Sequence, residues 1–144
     1  MRQISEDGLA LIRRCESFQP KPYLCPAGWW TVGYGHVIRK GEDFSAGIDE
    51  DRASHLLADD LAVAERAVLR LIRVPLSEGQ YAALVSFTFN LGAGALQRST
   101  LRQKLNRSDY DAVPAEFLKW VWGGGRKLKG LVVRRQAEAN LFSG

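Results

Sequence analysis

The sequence predicts an α+β fold that is mainly α-helical. Most of the 144 residues fall into segments whose apolar positions recur at helical spacing and whose starts carry capping residues. One Pro-rich stretch, Glu16 to His36, breaks that pattern and reads as two short strands around a turn. The chain is long enough to bury a core as one compact unit. With 46% hydrophobic and 25% charged residues its composition is ordinary for a globular protein. No window approaches the ~20 apolar residues of a membrane span.

The first helix is expected over 5–16. Ser5 is its N-cap, Glu6 and Asp7 suit the positive end of the helix dipole, and Ile4 and Leu9 occupy hydrophobic-staple positions. Leu9 and Ile12 form its apolar stripe, and Glu16 falls on that stripe at the end nearest the Pro-rich segment. Burial there would raise its pKa towards the ~6–7 that suits a general acid. The alternative is a helix-end Glu turned to solvent.

Pro20, Pro22 and Pro26 exclude helix from the next segment. Pro26-Ala27-Gly28 reads as a turn between strands Tyr23–Cys25 and Trp29–Tyr34. Alternation puts Trp29, Thr31 and Gly33 on one face and Trp30, Val32 and Tyr34 on the other. A glycine neighbour would leave open space beside the Thr31 hydroxyl. The plainer alternative makes Thr31 a strand former and Gly33 and Gly35 bend residues. Cys15 and Cys25 are too few for a disulfide scaffold; they could close one small loop, which geometry decides, and free thiols are expected.

Val37 to Gly47 should hold a third edge strand around Phe44. Asp49 then caps a long helix, about 50–72, striped by Ala53, Leu56, Leu57, Ala64, Ala67, Val68 and Leu71. Asp60 falls on that stripe, and a buried acid needs a partner. His55 reads as a surface residue. Pro75 ends the helix. Ser77 and Gln80 form a capping box for the next one, with Leu84, Val85, Thr88 and Leu91 facing the core and Phe87 and Phe89 flanking. That helix ends at Asn90-Leu91-Gly92-Ala93-Gly94. Ser99 or Thr100 caps a helix to about Asn106. Ser108 or Asp109 starts another, restarted or kinked at Pro114. Gly123-Gly124-Gly125 reads as a flexible loop, and a last helix covers about 131–142.

Net charge is +4 and the sequence pI is about 9.3. No nucleic-acid module accompanies that charge. The densest basic run, Arg126, Lys127, Lys129, Arg134 and Arg135, reads as a solvated helix face and loop. A modest positive field favours approach to anionic surfaces. Cys15, Cys25, His36 and His55 fit no zinc-ligand spacing, and Gly33-x-Gly35 lacks what a phosphate loop needs. The N-terminus has no secretory apolar core.

Glu16, Cys25 nine residues on, Thr31 six further, then Val-Gly-Tyr-Gly-His together resemble the signature of phage-type lysozymes, the endolysins of glycoside hydrolase family 24. That pattern runs Glu, eight residues, Asp or Cys, five residues, Thr, then Gly-x-Gly-His. ISEDGLALI, LSEGQYAALVSFTFNLGAGAL and GLVVRRQAEANLF extend the resemblance along most of the chain.

The resemblance implies a lysozyme-like fold in one catalytic domain, 1–144. A small β-hairpin lobe (about 15–48) and a helical lobe (about 76–144 with the helix 5–16) would be joined by the long helix, with a sugar cleft between. It implies Glu16, Cys25 and Thr31 as catalytic residues. Gly35, Val37, Phe89 and Asn90 would bind substrate, and His36 with Asp60 would form a supporting pair. The substrate would be peptidoglycan, cut between N-acetylmuramic acid and N-acetylglucosamine, with no metal or organic cofactor.

Glycosidases usually place two carboxylates around the bond, and here the second is absent. Cys25 is then a thiolate nucleophile or, with Thr31, a holder of water. An ordinary thiol pKa of ~8.5 favours the second. A monomer without nucleic acid or stable membrane insertion is expected. It would be made in the bacterial cytoplasm and released to the wall through a pore supplied by another protein, since this chain shows no signal peptide or anchor. A lytic transglycosylase and a catalytically silent wall-binding module are the alternatives.

Overall fold

The structure, a computed structural model, describes residues 2–25 and 27–144. Pro26, expected in the hairpin turn, lies outside the described residues. Helix α1 (Glu6–Glu16) starts where Ser5 Oγ accepts the Gly8 amide. Any side chain at Gly8 would collide with Ala82, 2.5 Å away, so this glycine permits the close approach of α1 to the helix carrying Ala82. Helix α1 ends as Ser17 takes a positive φ of 58°, which turns the chain sharply after Glu16.

Three antiparallel strands follow: β1 (Gln19–Leu24), β2 (Trp30–Gly33) and β3 (His36–Val37), in that order across the sheet. Pro20 and Pro22 are tolerated because β1 is an edge strand with an irregular register between Gln19 and Tyr23. The third strand is therefore His36–Val37 and not the expected segment around Phe44. Phe44 instead folds back as a buried residue, its ring edge-on to His36 at 5.8 Å. Gly33 does not open space beside Thr31 either. It is buried, and a Cβ there would meet Ala53 and Ile48 at 3.1 and 3.2 Å.

Helix α2 (Glu50–Leu71) begins as Asp49 accepts the Arg52 amide at 2.8 Å. It lies against β2 and β3 on one side and α3 (Glu78–Leu91) on the other. The Ser77–Gln80 capping box opens α3. Helix α3 has no single core-facing stripe: every residue from Tyr81 to Thr88 is buried. It is the central helix, wrapped by α1, α2 and, at the far end of the chain, α7 (Lys129–Ser143).

Between them come α4 (Ala93–Arg98), which the sequence reading did not separate, and α5 (Thr100–Asn106), capped by Ser99. A 3₁₀ turn (Tyr110–Ala112) then leads into α6 (Val113–Phe117). The helix restarts at Pro114, which sits in the first turn of α6, where its missing amide costs nothing. Of the triple glycine, Gly124 and Gly125 are the turn of a small hairpin, β4 (Trp122–Gly123) with β5 (Arg126–Lys127). The architecture is α+β and mainly helical, with the sheet at one end of α2 and the helical core at the other.

Candidate active site

Glu16 ends α1 half-buried, facing the turn between β2 and β3 on one side and α7 on the other. A guanidinium meets it, where the sequence reading placed an apolar stripe. Arg134 Nη1 donates to Glu16 Oε2 at 2.6 Å, and Arg134 itself is only 5% exposed. The other oxygen, Oε1, lies against Gly35. A Cβ at Gly35 would stand 2.7 Å from it, and the φ of 79° also favours glycine. Gly35 therefore keeps the carboxyl uncovered.

Arg134 belongs to a buried network that corrects the reading of the C-terminal basic run as a solvated face. Its guanidinium reaches Ser86 and, at 3.4 Å, Glu138. Ser86 Oγ donates to Glu138 Oε2 at 2.5 Å. Arg135 and Glu138 are fully buried, with Arg135 Nε 2.7 Å from Glu138 Oε1, close but not aligned as a hydrogen bond. Burial lowers the Arg135 pKa and raises that of Glu138, each opposed by the charge of the other. Arg135 Nη2 also donates to Asn90 Oδ1 at 2.8 Å, which leaves the Asn90 NH₂ as that side chain's free donor. The signal was present in sequence: Arg, Arg and Glu at i, i+1 and i+4 share a helix with Ala139 and Phe142, so a buried face carries charge.

Beside Glu16 opens a cleft of about 410 Å³ lined by Glu16, Gly35, Val37, Arg39, Asp60, Phe89 and Asn90. This gathers the four residues expected to bind substrate, and adds Arg39, which the sequence reading missed. On its α7 side Glu16 borders a second, more apolar space of about 750 Å³ that includes Leu11, Asn90, Leu131 and Val133. The carboxyl thus stands at the junction of the two.

His36 and Asp60 meet as expected, Nδ1 to Oδ2 at 2.8 Å, tying β3 to α2. Glu42 adds an unforeseen contact, 3.0 Å from His36 Nε2, and Arg39 reaches the second Asp60 oxygen at 3.5 Å. The Arg39 amide, ahead of His36, holds the Glu42 pKa below the ordinary carboxylate value. Asp60→Asn should cost about 1–3 kcal/mol of stability, the penalty for breaking a partly buried polar pair. Thermal unfolding at neutral pH checks this, and an unchanged melting temperature would contradict it.

Cys25 and Thr31 do not line the cleft itself. Tyr23 pairs with Thr31, and Thr31 with Val37, so these side chains share one face of the sheet. Val37 faces the cleft. Burial, then the charges of Glu16 and Cys25, push the Tyr23 phenol up. Thr31 is buried and donates its hydroxyl proton to the Trp29 carbonyl at 3.0 Å.

Both cysteines are free. The Trp29 amide first, then those of Ala27 and Gly28 and the Thr31 hydroxyl, lower the Cys25 pKa against a smaller desolvation. Desolvation raises that of Cys15, whose sulfur is sheltered although the residue as a whole is exposed. The thiolate is the reactive form, so iodoacetamide should modify Cys25 first, with a rate that rises at lower pH than for an ordinary thiol. Peptide mapping after limited alkylation checks the order; faster labelling of Cys15 would contradict it.

The phage lysozyme family model matches residues 13–138. An endolysin of Acyrthosiphon pisum secondary endosymbiont phage 1 is 43% identical over 145 residues, covering 96% of this chain and 97% of the relative. The muramidase domain of SpmX from Asticaccaulis excentricus superposes with a TM-score of 0.90 at 30% identity, covering 100% of this chain and 99% of that one. A variant of the lysozyme of phage P22 superposes with a TM-score of 0.88 at 35% identity, each chain covered in full. On this sequence match and this shared fold, the chain belongs to the phage lysozyme family.

Proposed function

We propose that the chain is a muramidase that hydrolyses the β-1,4 bond between N-acetylmuramic acid and N-acetylglucosamine in peptidoglycan. The observation that carries this reading is the place of Glu16: a half-buried carboxyl at the junction of two spaces, where a polymer can run past it in both directions. Glu16 is the general acid. Arg134 holds Oε2, so Oε1, the oxygen beside Gly35, delivers the proton to the leaving glycosidic oxygen. The Asn90 NH₂ is placed to donate to a sugar oxygen, while Val37 and Phe89 offer apolar surface to sugar C–H groups. Asp60 also borders the cleft, but His36 and Arg39 occupy its oxygens, so its role is support.

Cys25 and Thr31 hold the attacking water. The Thr31 hydroxyl proton serves the Trp29 carbonyl or the Cys25 sulfur, which leaves the lone pairs of Thr31 Oγ to accept from water. The lowered Cys25 pKa makes its sulfur a second acceptor. Cys25→Asp should therefore retain partial or full activity and Cys25→Ala should lose more, with Cys15→Ala as the thiol control. A sugar adduct on Cys25, caught by intact-mass measurement during turnover, would assign the thiol as nucleophile instead.

Every residue given a role here comes from one chain, which supports action as a monomer. Its phage endolysin relatives support action on the bacterial wall. Among the described residues no helix is long and apolar enough to cross a membrane. The reading as a whole is tested by adding purified protein to isolated cell walls: turbidity should fall, and constant turbidity would overturn it.

A further inference from the structure

Three large apolar side chains stand at the open end of the β1–β2 hairpin: Leu24, Trp29 and Trp30, each more than half exposed. Register divides them. Leu24 pairs with Trp30, and the Ile38 amide donates to the Trp30 carbonyl, so Leu24, Trp30 and Ile38 lie together on the face that farther along carries Val32 and His36 against α2. The Cys25 amide donates to the Trp29 carbonyl at 2.9 Å, which sets Cys25 opposite Trp29. Alternation from Tyr23 and Thr31 then puts both on the other face, the one that carries Val37 to the cleft.

Trp29 is thus the exposed aromatic of the cleft-side face, 61% accessible, beside the residues that hold water. Its backbone is fixed twice, since its carbonyl accepts from both the Cys25 amide and the Thr31 hydroxyl. Ala27 and Gly28, the described residues before it, are small and exposed, and leave the indole uncovered. A flat apolar ring on a rigid support, next to a polar site and open to solvent, is suited to bind the C–H face of a sugar ring. Two residues of strand span roughly 6.6 Å between Trp29 and Thr31, a little more than one residue of a β-1,4-linked sugar chain.

Resting on the muramidase reading, we propose that Trp29 is a stacking platform for a sugar about one residue from the cleavage position, and that it gives the enzyme a preference for longer glycan strands. Trp30, on the opposite face, takes no part.

The test uses soluble, uncrosslinked peptidoglycan strands of two lengths, one short and one long. Trp29→Ala should raise KM on the long strand roughly tenfold, leave kcat within about twofold, and shrink the preference for the long strand by the same factor. Trp29→Tyr should restore most of the loss, and Trp30→Ala should behave as wild type. In the Glu16→Gln background, where the strand is not cut, Trp29→Ala should weaken binding of the long strand by a similar factor. Wild-type KM and length preference in Trp29→Ala would overturn the proposal. So would an equal loss in Trp30→Ala, or a loss shared by both on anionic lipid vesicles, since either would mark the hairpin tip as a surface adhesive. An inactive wild type whose long-strand binding still depends on Trp29 would overturn the muramidase reading and keep the platform.

Discussion

Glu16→Gln is expected to lower wall lysis by about 10²–10⁴-fold, the usual contribution of a positioned general acid. The amide matches the carboxyl in size but cannot deliver the proton. Arg134 loses a charged partner on one side yet keeps Ser86 and Glu138, so the helical core should stay intact. Activity near background with a cooperative unfolding transition is the predicted pair of observations. Lysis close to wild type would remove Glu16 from the mechanism.

The second large effect is on stability. Glu138→Gln should cost about 3–5 kcal/mol, because Arg135 is fully buried and would lose its carboxylate partner, while Arg134, also buried, would keep Glu16 alone. At this chain length that loss lowers the melting temperature by roughly 10–15 °C. Activity should fall with it even at temperatures where the variant is folded, since Arg134 would no longer be held between two acids. The double change Arg135→Met with Glu138→Leu removes a charge of each sign and fills the space with apolar atoms. It should recover part of the stability, as buried pairs replaced together often do. A drop below 1 kcal/mol in Glu138→Gln, measured by denaturant titration, would show that the network does not hold these helices together.

What was legible in the sequence was local. Ser5, Asp49, Ser77 and Ser99 cap helices within one turn of their own position, and each helix begins where its cap requires. The motif residues from Glu16 to His36 are close in sequence, and the hairpin brings them to one region. Gly35 could be named but not explained, because its reason is a carboxyl on another element.

What was missed depends on distant partners. Arg134 meets Glu16 across 118 positions, and Arg135 meets Asn90 across 45. Without those partners a helix carrying Arg134, Arg135, Gln136 and Glu138 looks solvated. Helix α3 misled in the opposite sense: a stripe was read where packing on three sides leaves no exposed face. Around Phe44 the hydrophobic signal was real, but it reported a core contact with His36 and no strand.

The central claim is that Glu16 protonates a glycosidic oxygen while water, held by Cys25 and Thr31, completes the cut. Mass spectrometry of soluble products from purified peptidoglycan tests it most directly. Hydrolysis predicts fragments ending in a reducing N-acetylmuramic acid, with one atom of ¹⁸O incorporated from labelled water and none formed by Glu16→Gln. Fragments ending in an anhydro sugar without the label would contradict it, because the sugar's own hydroxyl would then have taken the place of water.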